Sequence, residues 1–337
     1  MDLVSICIPV FNGEEFLEAA IASALAQTHG RLEILIVDDG SSDQSVAIAQ
    51  AQAERFTNVR FFANSENLGL VGNWNRCVEL AHGDWIKFLF QGDLLAPDCV
   101  QRMLEQAQQG WPFVACDREF IFDGPVPAAT RQYFADNRRQ VRAALGGAGV
   151  CSAQRYAQLA APALHLNFVG EPTVALLRAD VFKQFGKFNP AFAQLMDLEF
   201  WHRVGCNVGL GFVDAPLASF RVHASSATAK NQGNRQFAAD SLDKLAFAHS
   251  LARSADYAPL RLVAAPGSKS AEAAFRDRAH QVFEWVRLNG ESLCGSSTVA
   301  QVYQRFVQQL PACAVTPAQH RWWLARSRTS QLRQSFS

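Results

Sequence analysis

The stretch Leu32-Glu33-Ile34-Leu35-Ile36-Val37-Asp38-Asp39-Gly40-Ser41-Ser42-Asp43 decides the fold. Five of its first six residues are apolar, and two acids and a glycine follow at once. A short run rich in Ile and Val reads as a strand buried on both faces. Carboxylates buried without partners are costly, so Asp38 and Asp39 belong at or beyond the strand's end. In open α/β sheets that carboxyl edge is where ligands bind. The pair is a candidate site on this reasoning; the Asp-Gly-Ser-Ser run also suits a turn and helix cap.

The flanking segments extend the same pattern. Val4–Val10 is a β-branched run containing Pro9 and reads as the first strand, with Phe11-Asn12-Gly13 as a turn. Glu14 to Gln27 carries Phe16, Leu17, Ala20, Ile21, Ala24 and Leu25 at helical spacing. Strand, helix and strand make a βαβ unit with a right-handed crossover. A helix over 43–56, a strand over 59–63, a loop over 64–72, a helix over 73–81 and a strand over 85–90 follow, with Gln91-Gly92-Asp93 past the last strand. The alternation predicts a doubly wound, mostly parallel sheet.

From about Pro112 the pattern loosens. Strands are expected at 113–116, 119–122, 212–213 and 218–222, a loop leading into a strand over 168–177, and helices at 181–185 and 197–204. Residues 131–145 read as polar and partly helical. Beyond Ser225 strand signals stop, and 235–252, 271–288 and 299–310 carry helical stripes, the clearest being Phe275, Ala279, Val282, Phe283 and Val286. Such stripes are core faces.

Composition sets the class. The 337 residues exceed one typical domain, and 49% hydrophobic with 18% charged content is that of a globular chain. Lys+Arg and Asp+Glu are equal at 31 each, so no global field selects nucleic acid. Eight cysteines are scattered without a CxxC pair, which predicts reduced core residues rather than zinc ligands or a disulfide framework. The first 26 residues lack the uninterrupted apolar core of a signal peptide, and no apolar run approaches the roughly 20 residues of a membrane span. A cytoplasmic location is the expectation.

Paired acids at strand ends can bind ribose hydroxyls, a hard divalent cation, or both. A dinucleotide reading requires a GxGxxG turn after the first strand, and Pro9-Val10-Phe11-Asn12-Gly13 is not one.

Val4–Asn12 followed by Glu33–Asp43 resembles the nucleotide-binding half of the inverting family 2 glycosyltransferases, which have the GT-A fold. The resemblance continues through Asn67-Leu68-Gly69, Asn73–Cys77 and Trp85–Leu95, and resumes at Gly170-Glu171-Pro172-Thr173, Met196–Trp201 and Arg221-Val222-His223. It implies an α/β fold, a Rossmann-like, mostly parallel sheet flanked by helices, with a helical C-terminal extension. The implied domains are 1–225, split into a nucleotide-binding half (1–110) and an acceptor half (111–225), and a helical region over 226–337.

The resemblance also implies roles for particular residues. Pro9 and Phe11 line the base pocket, Asp39 holds a pyrimidine ring with Asp38 before it, and Asn12, Asn67 and Gln91 belong to the nucleotide site. Asp93 ends a DXD-type motif that binds metal and diphosphate, with Gly92 where close relatives have an acid. His223 can reach the metal. Asp197 falls on the general base, and Glu171 and Trp201 belong to the wall that meets sugar or acceptor. Other readings are a helix N-cap for Asp197, a satisfied histidine for His223 and a loop acid for Glu171.

The implied activity is metal-dependent, hexosyl-type transfer from a UDP- or dTDP-sugar to a glycan or lipid-linked glycan, in bacterial surface polysaccharide assembly, with Mn²⁺ or Mg²⁺ as cofactor. The alternatives are a catalytically impaired nucleotide-sugar-binding protein, which Gly92 motivates, and a nucleotidyltransferase, which Glu14-Glu15 opposes by standing where a basic triphosphate loop belongs. The tail from Gln319 pairs Trp322 and Trp323 with Arg321, Arg326, Arg328 and Arg333. Such a helix suits a peripheral contact with an anionic bilayer, or a terminal helix whose tryptophans pack on the body.

Overall fold

A computed structural model describes residues 2–124, 126–145, 149–223, 237–263, 269–294 and 296–334, with the side chains of 139–142, 144 and 326–334 outside the description. The chain forms two compact units, Met1–Pro190 with Met196–Ala224, and Ala191–Leu195 with Ser225–Ser337.

The first unit is built on nine strands. They are β1 (Val4–Val10), β2 (Leu32–Asp38), β3 (Val59–Ala63), β4 (Trp85–Phe88), β5 (Leu94–Leu95), β6 (Phe113–Phe122), β7 (Val150–Cys151), β8 (Ala175–Arg178) and β9 (Leu210–Val222). Their order is β3-β2-β1-β4-β8-β6-β9-β5, with β7 also on β9. β1 to β4 are mutually parallel where they pair. β8 runs antiparallel to both β4 and β6, while β6 and β9 are parallel. This reversal matters for the site: the residues just before β8 arrive at the same edge as those just after β4.

All seven residues of β1 are buried, as are six of the seven in β2, because helices cover both faces of this part of the sheet. The helices of this unit are α1 (Leu17–Leu25), α2 (Ser45–Arg55), α3 (Gly69–Leu80), α4 (Cys99–Ala107), α5 (Ala128–Leu145), α6 (Ala153–Ala160), α7 (Ala179–Phe185) and α8 (Met196–Val208). α1 buries Leu17, Ala20, Ile21 and Ala24, the stripe expected from spacing. An aromatic layer joins the halves of the sheet: Trp74 stacks on Phe90 at 4.8 Å, and Phe188 meets both Trp74 and Phe200.

Three differences from the sequence reading have local causes. α3 starts at Gly69 rather than at 73, because the Asn67 side chain accepts the Gly69 amide and begins the turn early. The strands expected at 113–116 and 119–122 are one strand, whose register against β9 slips on either side of Asp117. Likewise 212–213 and 218–222 fall within the single strand β9.

The second unit is mainly helical, with helices Asp243–Arg253, Ala271–Asn289, Val299–Gln309 and Pro317–Gln334. Phe275, Ala279 and Val282 of the expected stripe are buried, whereas Phe283 and Val286 are half-buried. Asp243, 0% exposed, accepts the amides of Ala193, Gln194 and Leu195 at 2.7 Å each. Trp323 stacks on His280 at 5.1 Å and donates to Asp277, the packing alternative for the tail, while Trp322 stays exposed. The start of the helix expected at 235 and the side chains of Arg326, Arg328 and Arg333 lie outside the described residues. Among the described residues, no helix is long and apolar enough to cross a membrane. All eight cysteines are buried and free.

Candidate active site

β2 ends in Asp38, and the two acids then part company. Asp38, 2% exposed, turns back to accept the Gly40 and Ser41 amides at 3.0 Å each. Gly40 sits at φ +82 with open space around its Cβ position, so the turn, not crowding, calls for glycine there. Asp38 was expected in the nucleotide site; its Oδ2 forms the turn, while its Oδ1 is buried with no hydrogen-bond partner among the described residues.

Asp39 organises the loop beyond β3 instead. Its Oδ1 accepts from Asn64 Nδ2 at 2.9 Å and from the Leu68 amide at 2.8 Å, and its backbone carbonyl accepts from Asn67 Nδ2 at 2.7 Å. Asn64 also donates to buried Asn73, whose own amide reaches the Val37 carbonyl at 3.0 Å. Asp39 therefore locks the 64–68 loop against the ends of β1 and β2.

The turn after β1 is tied to the turn after β4. The Gln91 side-chain amide accepts from Phe11 N at 2.9 Å and donates to Phe11 O at 3.1 Å, which prolongs the β1–β4 pairing with a side chain. Gly13 lies underneath: a Cβ there would stand 2.3 to 2.9 Å from the Gln91 amide. Asn12, at φ +49, donates its amide to Ser41 Oγ and accepts from Ser42 N at 2.8 Å, joining this turn to the Asp39 turn. Pro9 is buried within β1, so Phe11, 46% exposed, is the residue here open to a base.

Asp93 is 2% exposed. Its Oδ2 accepts from the Thr173 hydroxyl and its Oδ1 from the Arg221 amide at 3.0 Å. Burial pushes this carboxyl up to about 7 and the Glu171 charge pushes the same way, against the Thr173 and Arg221 donors and the Lys87 charge. Lys87, fully buried in β4, donates to the Thr173 carbonyl. A buried ammonium persists only with such partners. Beside Asp93, a Cβ on Gly92 would meet Arg221 at 3.6 Å and His223 Nε2 at 3.7 Å, both ordinary contacts. Arg221 donates to the Gly92 carbonyl and Asp123 and lies 4.3 Å above the Phe16 ring, against which His223 also packs.

The loop 167–173 carries the arrangement across to α8. Asn167 accepts the Gly170 amide at 2.8 Å and donates to both the Gly170 carbonyl and Asp197 Oδ2. Asp197, half-exposed in the first turn of α8, also accepts the Leu198 amide through Oδ1 at 2.7 Å. Glu171, in the same loop, forms an ion pair with buried Arg118 at 2.6 Å and keeps 23% side-chain exposure. Trp201 was expected to meet sugar or acceptor. It is 0% exposed, stacks on Phe113 at 5.2 Å and donates to the Gly170 carbonyl, so it props the loop from behind.

Phe11, Asn12, Asp39, Asn67, Gln91, Asp93, Glu171, Asp197 and His223 thus belong to one hydrogen-bonded belt of loops at the carboxyl edge of β1, β2 and β4 or to the turns it ties down. The residues sequence reasoning missed are those that fasten it: Asn64, Lys87, Arg118, Asn167, Thr173 and Arg221. Lys87 carried a usable signal, a lone cation inside an apolar strand. Arg118 and Asn167 carried none.

A metal was also expected. Among the described residues no group of three His, Cys, Asp or Glu could hold one. Asp93 and His223 both lie beside Gly92, and the oxygens of Asp93 already accept the Thr173 hydroxyl and the Arg221 amide.

Residues 5–160 match the family model described as glycosyl transferase family 2. That stretch reads as a family 2 glycosyltransferase domain. An uncharacterized protein of Mycobacterium tuberculosis is 28% identical over 235 residues, 69% of this chain and 72% of that protein. An uncharacterized glycosyltransferase of Haemophilus influenzae is 36% identical over 31% of this chain and 42% of its own length. Chondroitin synthase of Escherichia coli is 38% identical over 31% of this chain and 15% of that protein. The chain thus spans less than half of these last two glycosyltransferases. Among solved structures, TarS 1–349 of S. aureus in complex with UDP-GlcNAc aligns over 91% of this chain and 81% of that one, at a TM-score of 0.59 and 15% identity. The mannosyltransferase PcManGT of Pyrobaculum calidifontis, with GDP-Man and Mn²⁺, covers 98% and 81%, at 0.55 and 13%. At such identities the likeness speaks for the fold alone, the GT-A fold.

Proposed function

We propose that the chain is an inverting glycosyltransferase that moves a sugar from a UDP- or dTDP-sugar to a glycan or lipid-linked glycan of a bacterial surface polysaccharide. The observation that carries this reading is the loop 167–173, which joins Asp93 to Asp197 at the edge where Asp39 also stands. Asp93 and Asp197 both bond to that loop, and Asp39 follows β2, which like β4 pairs with β1.

The division of labour follows from their surroundings. Phe11 is exposed enough to stack on a base, and Asp39, rigid through its loop contacts, accepts an imide N–H, which favours a pyrimidine. The acceptor hydroxyl attacks the anomeric carbon opposite the diphosphate; the new C–O bond forms as the bond to the diphosphate oxygen breaks, inverting the centre. Asp197, half-exposed with each oxygen steadied by one donor, takes the hydroxyl proton. A base so placed contributes about 10²–10⁴-fold. Asp93 and His223 would hold a Mn²⁺ or Mg²⁺, which neutralises charge on the leaving diphosphate when bound.

Thermal-shift screening of nucleotide sugars with Mn²⁺ or Mg²⁺ tests the reading, since a ligand at about 100 times its Kd stabilises the native state by about 2.7 kcal/mol. UDP- or dTDP-sugars should raise the melting temperature, and Asp39→Asn should abolish the rise. Absence of any rise with nucleoside diphosphates would count against the reading.

A further inference from the structure

Arg118 is among the largest side chains fully shut inside the protein, 1% exposed, and the chemistry above gives it no part. A buried guanidinium persists only where partners replace lost water. One of its partners, Glu171, lies in the loop that joins Asp93 to Asp197. Nη2 donates to Asn137 of α5 at 2.8 Å, the guanidinium lies 5.3 Å from the centre of the Phe120 ring, and Nε stands 2.6 Å from Glu171 Oε2. That last contact is close but off-line as a hydrogen bond, so it acts through charge.

The backbone has been cleared to admit this side chain. Gly170 has φ +119, and a Cβ there would fall 2.8 Å from Arg118 Nη1 and 3.0 Å from Cζ. On the far side of Glu171, Thr173 is fixed by Asp93 and Lys87. Glu171 is therefore held at both flanks and at its carboxylate. Oε2 is buried against Arg118 while the side chain keeps 23% exposure, which leaves Oε1 as the oxygen a ligand can reach.

A fixed carboxylate oxygen two residues from the Asp93 contact accepts hydroxyl protons and repels anions. Resting on the donor reading above, we infer that Arg118 is a positioning residue that aims Glu171 Oε1 at the hydroxyls of the donor's sugar ring. The substrate class that follows is a neutral sugar, with uronic acids disfavoured by the Glu171 carboxylate.

Calorimetric titration of the full chain in Mn²⁺ tests this, with UDP, UDP-glucose, UDP-N-acetylglucosamine, UDP-glucuronate and the dTDP counterparts as probes. The readout is the affinity for each nucleotide sugar relative to its own free nucleotide. A hydrogen bond to a charged group is worth about tenfold in binding. Glu171→Gln and Arg118→Met should each lower the relative affinity for neutral sugars by about that factor, leave free-nucleotide affinity unchanged, and in combination lose no more than Glu171→Gln alone. Glu171→Gln should also relax the rejection of UDP-glucuronate. Should Arg118→Met fail to fold, Asn137→Ala, which frees the outer nitrogen of Arg118, should give a smaller loss in the same ratio. An unchanged ratio in a variant that still binds free nucleotide, or losses that multiply in the double variant, would overturn the inference. Failure of the wild type to bind either nucleotide would instead overturn the donor reading, and this inference with it.

Discussion

Replacing Gly170 by alanine should be among the most damaging single-methyl additions in the protein. Two costs combine. The backbone at φ +119 lies where L side chains are strained by about 1–3 kcal/mol. The added Cβ would also meet Arg118 at 2.8 and 3.0 Å and Val174 Cγ2 at 3.1 Å. Arg118 cannot withdraw, being buried and held by Asn137 and Glu171, so overpacking adds about 1–3 kcal/mol. Together they predict a loss of about 2–6 kcal/mol, centred near 4. Gly110 supplies the control, with φ +100 and nothing within 4 Å of its Cβ position, so Gly110→Ala carries the backbone cost alone. Urea unfolding reads both. With a slope of about 3 kcal/mol/M, Gly170→Ala should lower the midpoint by about 1 M and Gly110→Ala by about half that or less. Equal shifts for the two variants would refute the claim that Arg118 crowds Gly170.

Two further predictions concern buried titratable groups. His202 is 0% exposed, and burial lowers its pKa to about 4 from 6.5, its ring nitrogens facing the Leu164 carbonyl and the Tyr156 hydroxyl. The folded form holds it neutral while the unfolded chain protonates it near 6.5, so its contribution is complete above that pH and falls by about 3 kcal/mol as pH drops to 4. Denaturant midpoints between pH 7 and 4 should show this slope in the wild type and a shallower one in His202→Gln; parallel curves would refute it. Asp243→Asn puts an NH₂ where a carboxylate oxygen accepts backbone amides at 2.7 Å. Leaving at least one amide unmet should cost about 1–3 kcal/mol in thermal or urea unfolding, and a stability matching the wild type would show the clamp to be dispensable.

What could be read from the chain alone tracks how local each determinant is. β1, β2 and β3 are continuous apolar runs closed by acids or turns, and their spans fall within a residue or two of expectation. Asp39 and Asp93 announce themselves by following such runs. The turn at Asp38 was legible in the Asp-Gly-Ser-Ser run, but not which of the two acids would make it, because that depends on φ values at Gly40 that spacing does not encode. Trp201 misled for a related reason: a Trp beside an acid on a helix can face either the cleft or the core, and Phe113 from a distant strand decides it. Arg118 lies at a register slip whose existence depends on β9, about a hundred residues later, so nothing near it in sequence signals a buried guanidinium.

The central proposed role is that of Asp197, which would take the acceptor's proton. Turnover of whichever UDP- or dTDP-sugar the wild type binds, compared in wild type and Asp197→Asn alongside the calorimetric affinity for that donor, tests it most directly. The expected result is a fall in turnover of about 10²–10⁴-fold with donor affinity unchanged. Turnover within a few-fold of the wild type, or a loss explained wholly by weaker donor binding, would contradict it.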